Sequence, residues 1–356
     1  MAASERLLPI SYTPEGAVEI SYNDLRSSPH LLAPSIEKGF GSQPDCLGIV
    51  VVKDLPQEYA RYRERLLKLA YNFGTLKEDT REKYVDAKSK YSFGWSHGKE
   101  IMNGKPDTLK GSYYANPIVD KPKVFNDERT AFPEYYGENI WPAGDEQGVE
   151  GFEEAFKDLG KFIFGVGCQL AAACQPFALN ELSNDTLPLQ ELIRTSQTTK
   201  ARLLHYFPPS EQDIVQGPRE DDPVDSWCGF HLDHSLLTGL CSAMFLRNNG
   251  GEPELVPSPS PKAGLYINTR GGKLTKVSIP VDCLAFQTGE ALEIATGRKL
   301  LATPHCVRVV PTTDALNVSR ETFALFMQPN INEQLSSVMT FGQFSRKVFE
   351  EHYEEP

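Results

Sequence analysis

The sequence has no apolar run close to the roughly 20 consecutive residues that a helix needs to cross a bilayer. Its first residues, MAASERLLPI, also lack the basic segment and apolar stretch of a secretory signal. The seven cysteines are scattered and include no CxxC pair, which favours free thiols in a reducing compartment over disulfides or a thiolate zinc site. From these absences we predict a cytoplasmic protein that does not bind membranes.

Basic residues are in the minority, with 36 lysines and arginines against 48 acidic residues and a formal net charge of -12. This balance argues against a broad phosphate-binding surface, so no nucleic-acid partner is expected. A local basic pocket for a small acid is compatible with it. The hydrophobic content of 40% is that of an ordinary globular protein.

Two stretches of the first half have the three-four spacing of apolar residues that predicts helices. Residues 57–76 form one of them, and residues 151–177 form a longer one whose apolar stripe is expected to be buried. Between them, residues 91–142 are rich in Gly, Tyr, Asn and Pro and are predicted to be irregular. The first half therefore predicts a helical layer.

The second half consists of short apolar segments separated by Gly, Pro or Asn about every eight to twelve residues, a rhythm typical of antiparallel β sandwiches and barrels. Polar loops are predicted over 210–226 and 257–261. We therefore predict a mainly β protein with helices. Residues 1–145 would form the N-terminal helical region, and residues 146–356 would contain the long helix and the β core, as one compact unit and a monomer.

The segment FHLDH at 230–234 contains two of the seven histidines. If it is extended, His231 and Asp233 point to one face and His234 to the other, so that an imidazole and a carboxylate can reach one cation. If it is helical, His231 and His234 become neighbours instead, which is a zinc-like pairing. The glycine in the following LLTGLCSAMF and the missing capping residue favour the extended form. Alone the motif is weak, because a histidine on an apolar strand is more often a hydrogen-bonded core residue than a ligand.

Downstream residues strengthen the metal interpretation. Residues 289–310 are predicted to form a strand, a glycine turn and a strand that carries His305, and Arg320 and Thr322 share a face of the next strand. Two imidazoles and one carboxylate leave three coordination positions open, which suits Fe(II) in oxygen chemistry, whereas a structural zinc site is closed. An arginine with a hydroxyl two residues on can bind a carboxylate. The alternative for Arg320 is a surface salt bridge, which its apolar neighbours disfavour.

Taken in order, these motifs resemble the Fe(II)- and 2-oxoglutarate-dependent oxygenases of the isopenicillin N synthase type, which are common in specialised metabolism. The resemblance spans most of the chain and rests on the following segments: LPISYTP at 8–14, CLGIVVVKDLP at 46–56, NIWP at 139–142, ARLLHYFPPS at 201–210, His231-x-Asp233, the turn at Gly289–Glu290, His305 and Arg320-x-Thr322.

The resemblance implies a double-stranded β-helix, or jelly roll, flanked by the N-terminal helical layer. It implies that His231, Asp233 and His305 hold Fe(II), which 2-oxoglutarate chelates while Arg320 and Thr322 bind its far carboxylate. The resemblance also implies dioxygen as the other co-substrate and is compatible with ascorbate as a reductant. Oxidative decarboxylation to succinate and CO2 would then drive hydrogen abstraction from a small-molecule substrate, with hydroxylation, desaturation or ring closure as the outcome.

The sequence departs from the family pattern in three places. Thr322 replaces the commoner Ser, and the interval between His305 and Arg320 is longer than usual. His205 and Phe207 occupy positions where many relatives have Asn and a Tyr that contacts 2-oxoglutarate. We therefore predict His205 as a replacement donor to 2-oxoglutarate and leave the role of Tyr206 open.

In this family the irregular N-terminal stretch covers the mouth of the barrel, here residues 91–117. His97, Lys99, Lys110 and Tyr113 are candidates for gripping a small carboxylated, amino-acid-like substrate. The alternative is a solvated loop with its tyrosines packed into the core.

Two other functions are compatible with the same residues. One is a zinc hydrolase that uses His231, His234 and His305 as ligands and Asp233 as the base. The other is a non-catalytic small-molecule sensor on the same fold, with a vestigial metal site.

Overall fold

The computed structural model describes residues 8–99, 101–102, 105–179, 187–216, 229–308 and 310–353. The helices within these residues are α1 Tyr22–Ser27, α2 Ala33–Phe40, α3 Gln57–Gly74, α4 Glu78–Arg81, α5 Asn126–Ala131, α6 Pro133–Tyr136, α7 Phe152–Cys174, α8 Leu189–Arg194, α9 Glu211–Gln216, α10 Glu290–Ala295 and α11 Phe341–Tyr353. None of them is both long enough and apolar enough to cross a membrane.

The strands within the same residues are β1 Ser11–Tyr12, β2 Val18–Ser21, β3 Ile49–Lys53, β4 Gly94–His97, β5 Ile101–Met102, β6 Lys105–Pro106, β7 Lys110–Ala115, β8 Lys200–Tyr206, β9 Leu237–Cys241, β10 Met244–Arg247, β11 Glu254–Val256, β12 Gly264–Asn268, β13 Leu274–Val277, β14 Leu284–Thr288, β15 His305–Arg308, β16 Val318–Met327, β17 Gln334–Ser336 and β18 Met339–Thr340.

Most strands form a large sheet and a small three-stranded sheet that face each other, whereas β5 pairs with β6 and β17 pairs with β18 in two separate two-stranded sheets. The large sheet has the order β1-β2-β3-β14-β9-β16-β8-β7-β4, and β10 pairs with β16 and β11. The small sheet has the order β13-β12-β15. Apolar side chains from both sheets, among them Ile49, Ala285, Leu265 and Ile267, form one core cluster between them. This is the predicted jelly roll, and the fold prediction is confirmed.

The two faces of the large sheet differ in what covers them. We call the side that faces the small sheet the barrel face and the opposite side the helix face. Helix α7 packs on the helix face, where the rings of Phe156 and Phe323 lie 5.2 Å apart. Side chains alternate along each strand, so the register of β16 with its neighbours decides which residues reach each face.

The helices predicted at 57–76 and 151–177 are confirmed as α3 and α7, the latter followed by a 3-10 turn at Gln175–Phe177. The prediction that 91–142 is irregular is wrong, because β4 and β7 lie within it and extend the large sheet beyond β8. These strands are rich in Gly, Ser and Tyr and therefore lack an apolar alternation.

The strand predicted at the start of 289–310 is also wrong, because residues 290–295 form helix α10. Its buried residues Ala291, Leu292 and Ala295 have helical spacing. Within residues 230–236, His231 makes an isolated antiparallel bridge with His305, and residues 234–236 form a bend before β9. Most of the loop predicted over 210–226 lies outside the described residues, apart from α9.

Candidate metal centre and carboxylate clamp

The structure brings His231, Asp233 and His305 together. One ligand atom from each lies within 4.8 Å of the others. Nε2 of His231 and Nε2 of His305 each lie 3.9 Å from Oδ1 of Asp233. Asp233 and His305 are buried, whereas 47% of the His231 side chain is exposed. The cluster is therefore anchored on one side and open on the other.

Backbone pairing places the two histidines. His231 and His305 exchange N–H···O=C hydrogen bonds of 3.1 Å, and their ring centroids are 4.4 Å apart. Asp233 follows two residues later, where its backbone carbonyl accepts a 2.8 Å hydrogen bond from the N–H of Glu290. The site thus depends on a bridge between distant parts of the chain.

Each candidate ligand is oriented by a hydrogen bond on its far side. Nδ1 of His231 lies 3.1 Å from the carbonyl oxygen of Gly229, and Nδ1 of His305 lies 2.9 Å from that of Thr303. A carbonyl only accepts, so the proton of each neutral ring lies on Nδ1 and the lone pair on Nε2 points into the cluster. The Thr238 hydroxyl donates to Oδ2 of Asp233 at 2.6 Å, which leaves Oδ1 for a metal.

Burial lowers the pKa of His305 below its ordinary value, an effect that Asp233 opposes and His231 reinforces. The neutral imidazole is the form that binds metals. His305 is therefore held in its binding form. Thr238 was not anticipated from the sequence, although a hydroxyl soon after an acidic ligand would have been a reasonable candidate.

His234 points away from this cluster. Its Nδ1 lies 2.8 Å from Oε2 of Glu290, and the two side chains form an ion pair when His234 is protonated. The candidate metal group found in the described residues does not contain it.

Arg320 and Thr322, which we call the carboxylate clamp, lie together on the barrel face. Arg320 is opposite Tyr206 and Thr322 is opposite Leu204 in the pairing of β16 with β8. The guanidinium carbon of Arg320 lies 4.8 Å from the ring centroid of Tyr206. Nη1 of Arg320 is buried and has no hydrogen-bond partner among the described residues. A buried, unpartnered guanidinium N–H is costly, so this atom is suited to an acidic ligand.

The structure does not bring His205 to the clamp. His205 pairs with Glu321 on the helix face, and Tyr206 is the residue of this strand that faces Arg320. The residue of β8 opposite Arg320 is therefore one position further along the chain than the predicted donor His205.

The four candidate substrate residues are also separated. Tyr113 is 1% exposed and donates a 2.6 Å hydrogen bond to the carbonyl of Ile140 on the helix face. Nε2 of His97 lies 3.0 Å from the carbonyl of Thr108. Lys99 is exposed, and its ammonium lies over a tyrosine ring.

Lys110 alone of the four lies on the barrel face, opposite Tyr206. It is buried and forms an ion pair with Asp107. Arg202 lies on the same face, where its Nε donates a 2.9 Å hydrogen bond to the hydroxyl of Ser112. Sequence reasoning did not single out Arg202, because its face depends on the strand register.

Comparisons with known proteins give a consistent fold. No model of a known protein family matches the sequence, and no curated protein matches it. Among solved structures, a putative 2OG-Fe(II) oxygenase family protein from Caulobacter crescentus is similar with a TM-score of 0.66 and 18% identity, covering 94% of this chain and 99% of that one.

A full-length Neurospora crassa protein solved in complex with alpha-KG is similar with a TM-score of 0.64 and 15% identity, covering 98% of this chain and 96% of that one. JOX2 in complex with 2OG, Fe and JA has a TM-score of 0.56 and 14% identity, covering 96% of this chain and 86% of that one. At these identities the likeness establishes the fold, which is the one that the sequence resemblance implied.

Proposed function

We propose that the protein is a non-haem Fe(II)- and 2-oxoglutarate-dependent oxygenase that oxidises a small-molecule substrate by hydrogen abstraction. The observation that carries the proposal is the combination of two sites in one barrel. One is an open cluster of two imidazoles and one carboxylate, and the other is an arginine whose Nη1 is buried and has no hydrogen-bond partner among the described residues. A metal site alone would fit many functions, whereas this pair fits a chelating dicarboxylic acid.

The ligand set fits iron. Two neutral imidazoles and a carboxylate, without thiolate, suit Fe(II) with open coordination positions. Bound there, iron would supply oxidation of a C–H bond at the expense of O2 and 2-oxoglutarate, with succinate and CO2 as co-products. Thr238 holds Asp233, and the carbonyls of Gly229 and Thr303 hold the two histidines, so the protein presents a prearranged set of ligands.

On the barrel face, the chain would bind the far carboxylate of 2-oxoglutarate. Arg320 would donate charge-assisted hydrogen bonds, the Thr322 hydroxyl would add one, and Tyr206 would flank the guanidinium. This assignment replaces His205, which lies on the opposite face, with Tyr206. The Neurospora crassa protein has been solved with alpha-KG and thymine, and JOX2 with 2OG, Fe and JA, so small-molecule complexes occur on this fold.

For the primary substrate we propose a small organic acid, amino-acid-like in size and charge, in specialised metabolism. The support is the position of Lys110 and Arg202 on the same face of the sheet as Arg320. Their contacts with Asp107 and Ser112 hold them in place. The proposal does not include the other three candidates. Lys99 is exposed and lies over a tyrosine ring, and His97 and Tyr113 contact the backbone carbonyls of Thr108 and Ile140.

The test is anaerobic addition of Fe(II) and then 2-oxoglutarate to the purified protein. We expect a weak visible charge-transfer band that requires both additions. His231→Ala should abolish the band, and His234→Ala should retain it as a matched control. A colourless protein that binds zinc and needs no reductant would contradict the proposal and favour a hydrolase. A band without succinate formation for any candidate substrate would favour a sensor.

A further inference from the structure

A buried polar pair lies directly behind the carboxylate clamp. Nδ1 of His205 lies 2.9 Å from each carboxylate oxygen of Glu321, and the Ser319 hydroxyl donates to Oε1 of Glu321 at 2.7 Å. Glu321 is 0% exposed and His205 is 2% exposed. Both residues are on the helix face, at the rung between Arg320–Tyr206 and Thr322–Leu204.

The surroundings of His205 fix its proton. His205 lines a small cavity whose other side chains are Ala70, Phe73, Trp95, Tyr113, Phe152 and Leu203. Its Nε2 is buried and has no hydrogen-bond partner among the described residues. A proton on Nε2 would therefore be unpartnered in apolar surroundings, so the neutral ring carries its proton on Nδ1 and donates it to Glu321.

A buried imidazole–carboxylate pair contributes little net stability to a protein core. Desolvating a carboxylate costs several kcal/mol, and apolar residues of similar size often give equal or greater stability. The benefit of a buried polar pair is specificity, since a wrong pairing leaves its members unsatisfied. The pair should therefore be placed where the apolar pattern leaves the arrangement of the chain undecided.

Strand β8 is such a place. Its segment LLHYF, 203–207, has no alternation of apolar and polar residues, so hydrophobicity alone does not choose the face of each residue. A slip of one residue against β16 would send every side chain to the other face. Tyr206 would then leave Arg320, and His205 would enter the barrel, which is the arrangement that the sequence had suggested.

We propose that His205 and Glu321 are positioning residues, whose hydrogen bond fixes the register of β8 on β16 and thereby presents Tyr206 to the clamp. The expected effect of this register on 2-oxoglutarate binding rests on the proposed function, whereas the register itself does not. The pair touches no reacting group. It acts through Tyr206 and Arg320.

The test compares single and paired substitutions. His205→Leu and Glu321→Met should each raise the dissociation constant of 2-oxoglutarate about tenfold or more, and KM for 2-oxoglutarate should change more than kcat. His205→Asn keeps a donor at the position of Nδ1 and should stay within about threefold of the wild type. If His205→Asn loses binding as fully as His205→Leu, the hydrogen bond is not responsible and the proposal is wrong.

The double variant His205→Leu/Glu321→Met separates positioning from packing. It should recover thermal stability relative to the single variants, because no buried group is left unpaired, but it should not recover 2-oxoglutarate affinity. Its β8 amides should exchange hydrogen faster than those of the wild type. Recovery of both stability and affinity would mean that the pair only fills space.

The measurement of amide hydrogen exchange also tests the register independently of the proposed oxygenase function. If the wild type binds no 2-oxoglutarate, the proposed function fails, and the register is judged by exchange alone. Faster exchange in β8 of the double variant supports the register lock in either case, and unchanged exchange overturns it.

Discussion

The two faces of strand β16 carry different kinds of polar group. On the helix face, Glu321 is fully buried and accepts hydrogen bonds from His205 and Ser319. On the barrel face, Arg320 has a buried nitrogen without a partner among the described residues. Each face therefore has a charge-bearing side chain with a buried polar atom, and the described residues supply hydrogen-bond partners to the Glu321 carboxylate but not to Nη1 of Arg320.

This difference distinguishes buried polar groups that stabilise the fold from those that can bind a ligand. A buried polar group with all its partners in the protein contributes to specifying the fold, whereas one left without a partner is suited to a ligand. The same contrast holds at the metal cluster. His231, Asp233 and His305 each have a hydrogen-bond partner on the far side, and one candidate ligand atom of each faces the other two within 4.8 Å.

Removing a candidate metal ligand should have the largest effect. Asp233→Ala deletes the only carboxylate of the cluster, so we expect loss of stoichiometric Fe(II) binding and succinate formation below detection, while folding is kept. Iron analysis after gel filtration and a succinate assay would measure this. Glu290→Ala, which removes the partner of His234 outside the cluster, is the control and should bind iron normally.

Removing the guanidinium of Arg320, whose Nη1 has no hydrogen-bond partner among the described residues, should have the next largest effect. Arg320→Gln loses charge-assisted hydrogen bonds to the co-substrate, each worth about 1.5–3 kcal/mol, so KM for 2-oxoglutarate should rise by about 10- to 100-fold. Iron binding should not change. Arg247→Gln on the neighbouring strand β10 is a matched control, because 42% of that side chain is exposed and its Nη1 lies 3.9 Å from Oε2 of Glu254. An equal effect of both substitutions would contradict the clamp.

The sequence predicted the grouping of the candidate site residues better than their surroundings. That His231, Asp233 and His305 would come together, and that Arg320 and Thr322 would share a face, could be predicted from residue type and order, because metal and carboxylate chemistry restricts those types. The face of His205 could not, because LLHYF fits either register and the deciding partner, Glu321, is more than a hundred residues away. Strands β4 and β7 were missed for a similar reason, since their pairing with β8 outweighs a weak local strand propensity.

A substitution behind a ligand should have a smaller effect than loss of the ligand. Thr238→Val removes the hydroxyl that donates to Asp233 and leaves the size of the side chain unchanged. Loss of such a partner costs about 10- to 100-fold in metal affinity. Anaerobic titration with Fe(II) would measure it, and Thr238→Ser, which keeps the donor, should bind within a few-fold of the wild type. Equal binding by the Val and Ser variants would show that Asp233 needs no such support.

The smallest effect should come from a substitution on the helix face, next to the His205–Glu321 pair. It should lower the stability of the protein rather than its catalytic activity. Gly74 ends α3 against His205, and a Cβ there would lie 2.4 Å from the imidazole. Gly74→Ala should lower the free energy of unfolding by about 1–3 kcal/mol, because the tightly packed ring has little room to move. Gly165→Ala on α7 is the control, since nothing lies within 4 Å of its added Cβ. In the control, the gain in helix propensity should stabilise the protein slightly. Chemical denaturation of both variants measures the difference, and a Gly74→Ala protein as stable as Gly165→Ala would mean that α3 can move away from the His205–Glu321 pair.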